Sequence, residues 1–70
     1  MAAERYLHEV VADLEATGLR VGVIMRAAYE IAGAAWNASW RDRDGRTLVI
    51  AFEVAEMAES FRAWLAEQAC

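Results

Sequence analysis

Apolar and polar positions alternate on either side of Asp44-Gly45, and this pattern predicts a β-hairpin from Trp36 to Phe52. A two-residue loop, Asp44-Gly45, sets Trp40 opposite Val49 and Arg41 opposite Leu48, so each face mixes polar with apolar side chains. A three-residue loop, Arg43-Asp44-Gly45, with Gly45 left-handed in a G1 bulge, sets Trp40 opposite Leu48, Ala38 opposite Ile50 and Trp36 opposite Phe52. That face is wholly apolar. The other face collects Asn37, Ser39 and Arg41 against Thr47, Val49 and Ala51. A slip of one residue exchanges the faces, so burial selects the three-residue loop. Glycine meets the positive φ of such a bulge at little cost.

After the hairpin the period lengthens. Val54, Met57, Ala58, Phe61, Trp64 and Leu65 fall on one stripe of a helix predicted from Val54 to Gln68. Glu53, Glu56 and Glu59 lie in or near its first turns, where the helix dipole favours negative charge. Glu59 and Arg62 are spaced for a surface pair.

Before the hairpin, Leu7, Val10, Val11 and Leu14 recur at i, i+3, i+4 and i+7. That spacing predicts a first helix from Ala3 to Ala16, closed by Gly18, with Leu19 placed for the apolar contact of a Schellman end. Residues 19–33 support two readings. As a strand, Leu19, Val21, Val23 and Met25 alternate with Arg20, Gly22, Ile24 and Arg26, and the β-branched residues favour this. As a helix, Val21, Ile24, Met25, Ala28, Ile31, Ala32 and Ala35 form a stripe, with Arg26 and Glu30 as a surface pair. The strand needs a turn near 27–32, where no Pro, Asn or Asp stands. The helix lacks a Ser, Asn or Asp to cap it. Alanine content favours helix for 25–33, ended by Gly33, and 19–24 stay open.

The expected fold class is therefore α+β, a small single domain over residues 1–70. It has an N-terminal helix or two, a central antiparallel β-hairpin or three-stranded sheet, and a C-terminal helix, in the order α-α-β-β-α or α-β-β-β-α. Trp36, Trp40, Leu48, Ile50 and Phe52 are expected to form one sheet face. Phe61, Trp64 and Leu65 should pack on it, and Leu7, Val10, Val11 and Leu14 should close the other side of the same layer.

A chain of 70 residues, 59% hydrophobic and 26% charged, suits a folded domain with a modest core, so self-association is an open expectation. No apolar run approaches the length of a membrane span. Acidic residues stand where a signal peptide would be basic and then apolar, which places the expected location in the cytoplasm. All seven basic residues are arginine, proline is missing and alanine abounds, a bias that suggests a GC-rich bacterial or phage genome.

Chemistry-bearing residues are few. His8 is the only histidine, one helical turn after Glu4, and no second histidine or nearby cysteine completes a metal set. A solvated histidine is expected there. Ser39 and Ser60 sit in no nucleophile elbow, there is no glycine-rich phosphate loop, and there is no lysine to serve one. Cys70 reads as a terminal thiol. The expectation is a non-catalytic chain with no cofactor and no metal.

Charge is the remaining signal. The net charge is −4. Glu9 and Asp13 on the expected first helix, and Glu53, Glu56 and Glu59 by the last, outline an acidic surface. Arg41, Arg43 and Arg46 cluster at the hairpin tip. These eight residues are the candidate contacts to a protein partner with a basic surface, one that handles nucleic acid. A winged-helix nucleic-acid binder, two helices and then a hairpin with an arginine tip, is the alternative. Against it stand the negative charge and a recognition helix offering only Arg26 and Glu30. A third reading is a subunit that self-associates through unpaired sheet edges.

A short acidic chain with one or two helices, a tight hairpin (WRDRDGRTLVIAF) and a closing helix (EMAESFRAWL) resembles the small phage-encoded anti-CRISPR inhibitors. The likeness covers size, charge and element order across the chain, without a shared motif. It implies a class of behaviour, the occupation of a protein surface often meant for DNA, and transfers no binding residue.

Overall fold

The computed structural model describes residues 5–68. The elements are β1 (His8–Asp13), α1 (Leu14–Thr17), α2 (Val21–Ala32), β2 (Trp36–Trp40), β3 (Thr47–Phe52) and α3 (Ala55–Gln68). The fold is α+β, with helices laid on a three-stranded antiparallel sheet of order β1-β3-β2.

The β3 strand is the hub. Its sequence, TLVIAF, is almost continuously apolar, as befits a strand flanked on both sides. On one side it pairs with β2 in the register the hairpin pattern predicts: Trp36 opposite Phe52, Ala38 opposite Ile50, Trp40 opposite Leu48. Gly45 is left-handed at φ 70°. The Asp42 carboxylate ties the loop, accepting from the Arg46 N–H at 3.1 Å and the Thr47 N–H at 3.4 Å.

On its other side β3 pairs with β1, and here the predicted first helix from Ala3 to Ala16 is corrected. Residues 8–13 are a strand, with Val10 opposite Ile50 and Ala12 opposite Leu48. Only one turn, α1, is helical. Asp13 caps it by accepting from the Glu15 and Ala16 N–H groups, and left-handed Gly18 closes it as expected. The spacing of Leu7, Val10, Val11 and Leu14 fitted a helix, but β3 needs a second partner strand, and Val10 and Ala12 fill its face. Leu7 (63% exposed) and Val11 (44% exposed) therefore stay in solvent instead of closing the core.

The open segment 19–24 resolves as helix from Val21. No side chain caps α2; the Arg20 carbonyl accepts from Val23 and Ile24 instead. The third strand is thus residues 8–13 rather than 19–24, and the element order is β-α-α-β-β-α. The α3 helix begins one residue later than predicted.

The core is one cluster. Val10 and Ala12 from β1, and Leu48, Ile50 and Phe52 from β3, meet Ile24, Ala27, Ala28 and Ala32 of α2 and Ala58, Phe61 and Leu65 of α3. The Phe52 and Phe61 rings lie 5.3 Å apart, and Trp64 stacks on Phe61 at 5.6 Å. Trp36 is half-buried against this cluster, its indole N–H donating to the Gly33 carbonyl at 2.7 Å. Trp40 shares the face, but at the sheet's end it is 48% exposed, a correction to its expected burial. Val54, expected on the inward stripe of the last helix, is exposed as well.

Candidate functional site

Strand alternation fixes which side chains lie opposite the helices. Val10 and Ala12, Ile50 and Phe52, and Ala38 serve the core, so Glu9, Val11, Asp13, Asn37, Ser39, Arg41, Thr47, Val49 and Ala51 belong to the outer face. The helical side chains of the core cluster all meet the inner face, and no described helix covers the outer one. Buried Ala51 lies outside that cluster.

On the outer face a shallow hollow of about 280 Å³ is lined by Arg5, Tyr6, Glu9, Asn37, Ser39, Val49 and Ala51. The segment before β1 shapes it. Arg5 Nη2 stands 3.4 Å from both carboxylate oxygens of Glu53, and its guanidinium lies 5.9 Å from the Tyr6 ring centroid. The lining offers a cation, a carboxylate, an amide, a hydroxyl and a phenol around a small apolar floor. His8 takes the opposite face of β1 from Glu9 and so does not join Ser39 in this lining. No group of three or more His, Cys, Asp or Glu side chains among the described residues is placed to hold a metal ion. Glu4 and Cys70 lie outside the described residues.

A second hollow, of about 550 Å³, runs along the free edge of β1 beneath α3. It is lined by Glu9, Val10, Val11, Asp13, Thr17, Arg62, Leu65 and Ala66.

The eight candidate contact residues do not form one surface. Glu9 and Asp13 sit on a strand, not on a helix, and Glu9 borders both hollows. Asp13 is engaged in capping α1. Glu53 pairs with Arg5 and Glu59 with Arg62, which leaves Glu56 as the one of the three glutamates with no ion pair among the described residues. Arg41 belongs to the outer face, Arg43 to the loop, and Arg46 lies 3.9 Å from Glu15. The predicted acidic surface is therefore half neutralised. Its open remainder is Glu9 and Glu56.

Arg5, Tyr6, Asn37, Ser39 and Val49 are not among the contacts the sequence predicts. The three-residue hairpin register does mark Asn37, Ser39 and Val49 as one face, but Arg5 and Tyr6 join it only because residues 8–13 form a strand. The helix-helix-hairpin order expected of a winged-helix binder is not formed, since β1 replaces the first helix, and Arg26 of α2 pairs with Glu30 at 3.4 Å. No described helix is long and apolar enough to cross a membrane. Compared with known protein families, with curated proteins and with solved structures, the chain matches none.

Proposed function

We propose that this chain is a non-catalytic protein-binding domain of the cytoplasm. It acts as an inhibitor that occupies a basic surface on a nucleic-acid-handling protein. The observation that supports this reading is the outer sheet face, which no described helix covers and whose polar and apolar groups surround a shallow hollow. Mixed lining of this kind suits the rim and centre of a protein interface. The net charge of −4 favours a basic partner; Glu9 borders the hollow on the outer face, and Glu56, on α3, is a second carboxylate with no ion pair among the described residues.

The test is charge reversal at those two positions. Glu9→Lys with Glu56→Lys should leave the circular dichroism spectrum and melting curve intact, because neither carboxylate makes an ion pair within the described fold. Capture of partners from the source cell on the immobilised chain should fall about tenfold at physiological salt. The proteins lost should be the basic ones. Equal capture by wild type and variant would remove the electrostatic reading.

A further inference from the structure

We propose that the β2 edge is a homodimer seam, at which two copies pair their WNASW segments antiparallel about Ala38. The bonding pattern of β3 locates the free backbone groups. The Arg41 N–H donates to the Thr47 carbonyl, and the Glu53 N–H to the Ala35 carbonyl. Odd residues of β2 therefore bond to β3, and the N–H and C=O groups of Trp36, Ala38 and Trp40 point away from the sheet. No hydrogen bond from the described residues reaches them. This edge carries no charge, no proline and no bulge, the devices that ordinarily blunt a free strand.

The opposite edge is partly occupied. By the same alternation, odd residues of β1 face outward. Arg62 donates to the Glu9 carbonyl at 3.5 Å, and the Thr17 hydroxyl to the Asp13 carbonyl at 3.0 Å. Antiparallel self-pairing of β1 about Val11 would also set Glu9 against Asp13 of the second copy, a like-charge pair.

The β2 sequence is complementary to itself. Pairing about Ala38 sets Trp36 against Trp40 of the second copy and Ala38 against Ala38, each pair bonded through both backbone groups. On the other face Asn37 meets Ser39, neutral and polar. Exposed Trp40 gains an aromatic neighbour, and the three-stranded sheet doubles with every helix on one side. That self-complementarity argues for a second copy rather than a foreign strand.

Sedimentation or light scattering from about 1 μM to about 1 mM should show a monomer–dimer equilibrium. The Ala38 amide should gain protection from hydrogen exchange as dimer forms. Ala38→Pro removes an N–H that does not serve β3, so the fold survives while the dimer dissociation constant rises about 100-fold. Asn37→Lys with Ser39→Lys, which sets cation against cation across the seam, should do the same without touching the backbone. A monomer throughout, or a dimer that persists in both variants with the Ala38 amide unprotected, overturns the proposal.

Discussion

Asp42 shows how a fully exposed side chain can hold a structural post. Its carboxylate accepts from the Arg46 N–H and from the Thr47 N–H, and these bonds, the Arg46 bond foremost, hold its pKa below the ordinary 3.8. A carboxyl with a depressed pKa in the folded state stabilises fully above its ordinary value, and that contribution fades as pH falls through the folded value. Exchange protection at the Arg46 and Thr47 amides should therefore drop as pH falls below 3.8. Asp42→Ala should abolish both the protection and its pH step. Unaltered protection in that variant would mean the loop is held by the Gly45 bulge alone. The bulge itself was legible, because a one-residue slip would have mixed the faces. The Asp42 latch was not, since Asp42 and Asp44 are equally plausible turn residues until the loop geometry chooses between them.

At the scale of elements, the hairpin, α2 from residue 25 onward and the closing helix could be read from periodicity, though Met25, Trp40 and Val54, all placed on the inward stripes, are exposed. The first segment could not. A run such as Leu7 to Leu14 satisfies helical spacing, while His8, Val10 and Ala12 satisfy strand spacing, and only the demand of β3 for a second partner decides between them. The same choice shapes the site, because Glu9 and Asp13 lie on the sheet instead of a helix, and Arg5 and Tyr6 join Glu9 at the outer hollow. One substitution distinguishes the two placements. Ala12 is wholly buried opposite Leu48, whereas on the predicted helix it lay off the apolar stripe. Ala12→Leu should thus overpack the core and cost roughly 1–3 kcal/mol in urea unfolding, where a solvated helix position would show little change or a slight gain. A neutral result would restore the helical assignment of this segment.

For the molecule as a whole, the question is what makes so small a core sufficient. Among the described residues only Phe52, Phe61, Ile24 and Ile50 are large and fully buried, and much of the remaining interior is alanine, which removes little apolar surface from water. The four ion pairs among the described residues are largely exposed and so add little. A chain so constituted has reason to gain stability by association, and the β2 edge is where Trp36 and Trp40, two of its three partly exposed tryptophans, lie. If dimerisation is linked to folding, the melting temperature must depend on concentration, because association favours the native state by mass action. A 70-residue domain moves by roughly 4–8 °C per kcal/mol. A hundredfold rise in concentration, shared between two chains, should then raise the melting temperature by roughly 5–10 °C. In Ala38→Pro the shift should vanish, while the low-concentration melting temperature stays close to that of the wild type. A concentration-independent melt of the wild type over that range would show that the alanine-rich core, the sheet and the two longer helices suffice without a second copy.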